Sequence, residues 1–279
     1  MADNVGDYDV LGYRGKRVVV AGAATGMGAA ATEILLALGA EVTALDIKPV
    51  QLPVTRFFAV DLRDKKAIDA VVGAVHGPIH ALFSCAGLPG APFSDLDVLL
   101  VNFVGARHLI ESLVSKMPEG SAVATIASTA GMGWQQNLQT WMGLLRAEGF
   151  EAGKAWCEAH PEAIASGYQP SKQVMIAWVC WRAATLIRQG IRLNTLNPGP
   201  TDTPMMPAFE KLGGGADVIN IFTQPINRRS TPEEQAWPLV MTRHSRGPSR
   251  ETERRQVTAQ GDPRFARVGT RQAGIDMHL

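Results

Sequence analysis

Tyr168 and Lys172 stand four residues apart in the stretch ASGYQPSKQVMIAWV, which continues with an apolar pattern of helical period. On a helix this spacing stacks the two side chains on one face. A free phenol titrates at about 10, too high for efficient proton transfer near neutral pH. A neighbouring ammonium favours the phenolate and draws that value down toward the working range of a general acid or base. A lysine near a tyrosine is also commonplace on helices, so the pair gains meaning only from partners elsewhere in the chain.

A second chemical feature is AGAATGMGAA, in which Gly22, Gly26 and Gly28 lie between an apolar run and a helical pattern. Glycines at a strand-to-helix junction allow a sharp turn. They also let a pyrophosphate approach the helix N-terminus, where unpaired N–H groups and the helix dipole favour anions. The next apolar run ends at Asp46, 18 residues past Gly28. An acid there accepts hydrogen bonds from the ribose hydroxyls of NAD and repels the 2′-phosphate of NADP. Lys48, two residues on, partly offsets that repulsion. The plain alternatives are a tight turn and a solvated strand-end aspartate.

The elements that must position these groups are readable from periodicity. RVVVAG, EVTALD, TRFFAVD, IHALFSCAG, GSAVATIAS and IRLNTLNPG are short apolar runs. They alternate with helical patterns: about Gly26 to Leu38, KKAIDAVVGAV, DLDVLLVNFVGARHLIESLVSKM, and from Tyr168 to about Arg188. Continuous apolar strands separated by helices predict an α/β fold with a doubly wound parallel sheet covered on both faces. Ligands in such folds bind at the carboxyl ends of the strands.

Composition narrows the class. The chain has 279 residues, 46% of them apolar, and a net charge of +1. It gives no broad attraction to nucleic acid and contains no apolar run of about 18 residues that would predict a membrane span. KRVVVAGAA resembles a signal peptide only slightly; its apolar run is short and follows Asp3, Asp7 and Asp9. Cys85, Cys157 and Cys180 are odd in number and widely spaced, and the six histidines show no zinc spacing. These features predict a reduced, cytoplasmic setting and no metal.

The ordered set of motifs resembles the short-chain dehydrogenase/reductase family over about residues 15–240. The glycine pattern is followed by SCAG at Ser84–Gly87, which is similar to the family's Asn-Asn-Ala-Gly with Ser and Cys replacing both asparagines. VNFVG then carries Asn102, IASTAG carries Ser128, Tyr168-x-x-x-Lys172 follows, and NPGPTDTP comes last. The resemblance implies that Tyr168 moves the hydroxyl proton and that Ser128 holds the substrate oxygen. It implies that Lys172 holds the nicotinamide ribose and that Asn102 anchors a water linking Lys172 to solvent. Implied NAD contacts are Gly22, Ala23, Thr25, Gly26, Met27, Gly28, Asp46, Asp61, Leu62, Ala86, Gly87, Tyr168, Lys172, Pro198, Gly199, Thr201 and Thr203.

Two departures from the family pattern stand out. Residues 134–167 separate Ser128 from Tyr168 and read as two short amphipathic helices, the second broken at HPE. Such an insert resembles the branch holding bacterial 3α-hydroxysteroid dehydrogenase/carbonyl reductase and coniferyl-alcohol dehydrogenase. Its aromatics are expected mostly to pack the insert itself. Residues 241–279 form a basic tail with eight arginines and four acids, against nineteen bases and twenty-two acids in the remainder. RFARVG is its only strand candidate, and residues from about Arg243 onward are expected to be poorly fixed or irregularly packed.

The sequence therefore predicts a single domain over residues 1–279. It predicts an NAD-dependent oxidoreductase that interconverts hydroxyl and carbonyl groups on a bulky apolar small molecule resembling a steroid or terpenoid. A homo-oligomer is expected, built on surfaces other than a paired last strand. The alternatives are an aryl allylic primary alcohol dehydrogenase and a nucleotide-binding protein that has lost turnover through its altered C-terminus.

Overall fold

Six parallel strands form one sheet in the order β3-β2-β1-β4-β5-β6. The computed structural model describes residue 9 and residues 11–242. The sheet strands are β1 (Arg17–Ala21), β2 (Glu41–Asp46), β3 (Arg56–Ala59), β4 (Ala81–Ser84), β5 (Ala122–Ile126) and β6 (Arg192–Leu196). Strands β4 and β5 are buried along their whole length, as is β1 after Arg17. This explains the continuous apolar runs: both faces of the central sheet are covered.

The first half supplies helices α1 (Gly26–Ala37), α2 (Lys65–Ala74), α3 (Asp95–Leu99) and α4 (Ala106–Val114). Then come α5 (Leu138–Arg146), α6 (Gly149–Ala159) and α7 (Tyr168–Leu186). Beyond β6 lie α8 (Met206–Leu212), α9 (Ala216–Ile221) and α10 (Pro232–Met241). One apolar core joins α2, the α3–α4 segment, the insert and α7, with Phe103, Leu109 and Trp178 at its centre. The other joins α1 and α10 around Leu35, Val42, Phe83 and Leu239. Tyr13 closes this second layer, donating its hydroxyl to Val240 O at 2.8 Å.

The register aligns the functional ends. Ala21 pairs with Leu45 and with Ser84, Ser84 with Thr125, and Ile126 with Leu196. The residues after β1, β4, β5 and β6 thus emerge along one edge, with Asp46 at the end of β2. The strand order reverses between β1 and β4, the switch point at which doubly wound sheets form their crevice.

The structure differs from the sequence reading in several elements. TRFFAVD forms a strand only over Arg56–Ala59, so Asp61 and Leu62 lie on the following loop. The long helix expected over DLDVLLVNFVGARHLIESLVSKM is interrupted by a π-helical turn at Leu100–Gly105, every residue of which is buried. There Gly105 abuts the Leu62 carbonyl; a Cβ would stand 2.0 Å from that oxygen. Helices α8 and α9 have no counterpart in the sequence reading. The insert forms its two expected helices, α5 and α6, and α6 ends at Ala159, just before HPE. The reading of the tail beyond Thr242, including RFARVG, lies outside the described residues.

Candidate active site

The glycine turn is shaped by close approach. A Cβ on Gly22 would lie 2.4 Å from Ala86 N, and one on Gly28 would lie 2.0 Å from Gly22 O. Both glycines let β1, the turn and the loop after β4 touch. Thr25, at the N-cap of α1, makes no side-chain capping bond. The first N–H groups of α1 therefore lack that partner and suit an anion.

A cleft of about 590 Å³ opens in front of this turn. Its walls include Gly22, Thr25, Gly26, Met27, Asp46, Asp61, Leu62, Ala86, Gly87 and Thr203 from the sequence-derived set. Ala23 and Gly28 are buried beneath the turn, and Thr201 is buried behind it, its hydroxyl donating to Gly199 O at 3.0 Å. The structure adds wall residues that the sequence did not single out, among them Arg63, Pro92, Phe93 and Ala208, and it places Met205, expected in an apolar substrate wall, on the same cleft. The Asp-Leu-Arg sequence carries the signal for Arg63. Its guanidinium grips Asp61 through Nη2 at 2.7 Å and reaches Asp97 at 3.2 Å. The arginine bond holds the Asp61 carboxyl below its usual range, outweighing the opposing effect of burial.

At the far end of the cleft, Asp46 accepts from Ala24 N and Lys48 N, each at 2.9 Å. Its carboxylate is thereby fixed at the end of β2. An uncapped helix N-terminus, a tight glycine turn and a fixed strand-end carboxylate on one cleft fit a dinucleotide.

The titratable pair sits at the start of α7. Lys172 is buried and donates to Ile126 O at 3.0 Å, with Nζ 5.3 Å from the centroid of the Tyr168 ring. Burial draws the lysine pKa down to about 8. Burial also raises the Tyr168 pKa above its ordinary value, against a smaller lowering by a hydrogen bond with Ser128. This corrects the expectation that the ammonium sets the tyrosine pKa: in the folded chain the cost of burying the phenolate outweighs the hydrogen bond that favours it.

Ser128 caps a 3₁₀ turn, accepting from Ala130 N at 3.1 Å, and its hydroxyl also makes a long contact of 3.5 Å to Pro198 O. Asn102 lies in the π-helical turn, a distortion frequent at functional sites. Its amide donates to Leu88 O and to Ser171 Oγ, each at 3.0 Å, and accepts from Leu88 N at 2.7 Å. Both N–H bonds of the amide are committed, which fixes its orientation. Its oxygen faces Gly87, where a Cβ would stand 3.4 Å from Oδ1 and 3.9 Å from Lys172 Nζ. The four residues singled out from the sequence thus converge on one corner beneath Phe209. That residue meets the Tyr168 ring edge-on at 4.7 Å between centroids.

Arg107 was not foreseen. It is buried on α4 and donates to Leu144 O at 3.0 Å, Ala147 O at 2.7 Å and Gly149 O at 3.2 Å. It thereby locks the turn between α5 and α6 to the segment that carries Asn102. Trp141 and Phe150 of the insert are buried, and Trp156 stacks on His160 at 4.3 Å. Trp141 and Trp156 meet within the insert, whereas Phe150 packs edge-on against His108 of α4.

Among the described residues no helix is long and apolar enough to cross a membrane, and no group of three or more His, Cys, Asp or Glu could hold a metal ion.

Comparison with known proteins agrees with this geometry. Residues 16–139 match the family model described as short chain dehydrogenase. The chain is 31% identical over 200 residues to coniferyl-alcohol dehydrogenase of a Pseudomonas species, covering 71% of this chain and 78% of that enzyme. It is 29% identical over 226 residues to 3-alpha-hydroxysteroid dehydrogenase/carbonyl reductase of Comamonas testosteroni, covering 78% and 86%. Its fold matches the 3-alpha-hydroxysteroid dehydrogenase of Pseudomonas sp. B-0831, solved with NADH, with a TM-score of 0.70 and 22% identity over 82% of this chain and 90% of that one. It also matches BdcA, solved with NADPH, with a TM-score of 0.59 and 21% identity over 86% and 89% of the two chains. With the parallel sheet, the glycine turn and this degree of identity together, the chain belongs to the short-chain dehydrogenase/reductase family of oxidoreductases.

Proposed function

We propose that the protein is an NAD-dependent oxidoreductase that interconverts a hydroxyl and a carbonyl group on a bulky, largely apolar molecule such as a steroid- or terpenoid-like secondary alcohol. The observation that carries this reading is the meeting of Tyr168, Ser128 and Lys172 beside a cleft lined by the glycine turn and Asp46.

When bound, NAD supplies or accepts the hydride. The residues that would hold it are Gly22, Thr25, Gly26 and Met27 at the turn, Asp46 at the ribose, and Asp61 and Leu62 further along the wall, with Ala86, Gly87 and Thr203 opposite. Tyr168 gives its proton to the carbonyl oxygen in reduction and takes it back in oxidation. Ser128 orients that oxygen by a hydrogen bond. Lys172 holds its charge against the phenol, and Asn102, fixed by Leu88 and Ser171, anchors a water that links Lys172 to solvent. Burial of the phenol keeps it protonated at neutral pH, which favours its role as an acid. A homo-oligomer and a cytoplasmic setting belong to the same proposal. The exposed Trp181 and Ile187 on the last turns of the catalytic helix segment supply apolar surface for the former.

The 31% identity to coniferyl-alcohol dehydrogenase favours a second reading, an aryl allylic primary alcohol as substrate. Following NADH absorbance with a panel of steroid, terpenoid and aryl allylic alcohols separates the two. Turnover of cyclic secondary alcohols supports the first reading, turnover of aryl allylic alcohols alone supports the second, and no turnover of any alcohol contradicts both.

A further inference from the structure

Residues 205–222 run on from the cleft wall, which Met205 and Ala208 line, with little apolar burial of their own. Met206 is buried in α8 and no residue is buried in α9, while Leu212, Val218, Ile221 and Phe222 are exposed. Gly213, Gly214 and Gly215 join the two helices. A segment with so few buried contacts lies at the low end of local stability. It nevertheless delivers Phe209 onto Tyr168, and Met205 and Ala208 into the cleft wall.

One side chain bridges its two helices. Arg229 pairs with Glu210 on α8 at 2.7 Å, donates to Asn220 Oδ1 on α9 at 2.8 Å, and reaches Asp202 at 3.5 Å. Its side chain is mostly buried. Its backbone is anchored on both sides. Arg228 pairs with Glu234 at 2.7 Å, and Ser230 N donates to Pro200 O at 3.1 Å while its hydroxyl meets that of Thr201 at 2.9 Å. Thr231 and Glu234 then form a capping box at the start of α10. A guanidinium with its donors spread over three segments is suited to this task in a way a lysine is not.

We propose that Arg229 is a positioning residue that clasps α8 and α9 beside the cleft, so that its ion pair with Glu210 sets how long the bound cofactor is retained and keeps Phe209 on Tyr168. The cofactor half of this statement rests on the function proposed above; the clasp itself rests on the contacts of Arg229 alone.

The test uses the full chain with Arg229→Ala, Arg229→Lys and Glu210→Gln, and the double variant Arg229→Ala/Glu210→Gln. Without added cofactor, chymotrypsin cleavage after Leu212 and Phe222, mapped by mass spectrometry, should be faster in Arg229→Ala by up to about fivefold, the scale of one lost ion pair. The lysine variant should fall between, and the double variant should add little to the larger single change because both act on one contact. Thermal midpoints should stay close to wild type. NADH release, followed by stopped-flow fluorescence, should accelerate in the same order, and KM should rise without a matching fall in kcat. Wild-type cleavage rates in both Arg229→Ala and Glu210→Gln overturn the clasp, and faster cleavage with unchanged NADH release overturns its role in retaining the cofactor. If Arg229→Ala does not fold, Glu210→Gln decides alone. If NADH does not bind the wild-type chain, the cofactor reading fails, and the clasp stands or falls on proteolysis.

Discussion

Lys172 Nζ donates to Ile126 O at 3.0 Å and lies 5.3 Å from the centroid of the Tyr168 ring. One cation is thus held between the end of β5 and the first turn of α7, buried with the phenol it accompanies. Two groups that each resist charge in a buried site make the pair sensitive to pH.

Stability should carry that signature. Burial lowers the Lys172 pKa from 10.5 to about 8 in the folded chain. Between these values the unfolded chain holds more of this proton than the folded one, so the lysine's contribution to stability rises with pH across that window. Below pH 8 both states hold the proton and the contribution is flat. Replacing Lys172 with Met should remove the increment. The difference in thermal midpoint between Lys172→Met and wild type, measured at pH 7.5 and about pH 9.5, should shift toward the wild type at the higher pH. An unchanged difference contradicts the buried charge.

Cofactor choice should follow Asp46. Its carboxylate is pinned by Ala24 N and Lys48 N, so it cannot swing away from a 2′-phosphate without losing both bonds. NAD should give the higher kcat/KM, and Asp46→Ala should narrow the ratio by about tenfold, a modest electrostatic difference. A wild-type preference for NADP sinks this assignment.

Much of this site was legible because it is made of backbone turns and short motifs. Gly22 and Gly28 are glycine for a steric reason, and Asp46, Ser128 and Lys172 fall at strand ends or on one helix face, where spacing alone locates them. What spacing could not reveal is contact made across the fold. Arg107 reads as a polar helix residue, yet it is buried because three carbonyls of a turn some 40 residues later in the chain need donors. Gly105, at the end of the π-helical turn, packs against Leu62 O, a long-range fit with no local signal. Helices α8 and α9 are short and largely exposed, so they left no apolar periodicity to read. The tyrosine pKa was misjudged because sequence shows the neighbouring charge and hides the burial.

Arg107 should matter for stability far more than its charge suggests. Arg107→Ala strips donors from Leu144 O, Ala147 O and Gly149 O. Leaving such groups unpaired should cost about 2–5 kcal/mol. Urea unfolding at fixed pH measures this; a loss below about 1 kcal/mol contradicts the clamp.

Substrate size should be read by the wall above the tyrosine. Phe209 meets the Tyr168 ring at 4.7 Å, and Met205 lines the adjoining cleft. Aromatic and thioether surfaces there favour large apolar groups. Ring ketones or alcohols should outcompete propanol in kcat/KM, and Phe209→Ala should reduce that advantage. Equal kcat/KM for propanol and a steroid or aryl alcohol removes the argument.

The central claim is that the Tyr168 hydroxyl carries the proton, and Tyr168→Phe tests it most directly. The substitution keeps the ring that packs against Phe209 and removes the oxygen alone. Steady-state turnover, measured with whichever alcohol the panel shows to be a substrate, should fall by about 10²-fold or more, while NADH binding measured by fluorescence titration stays near the wild-type value. Near-normal kcat in Tyr168→Phe with every active substrate would contradict the account.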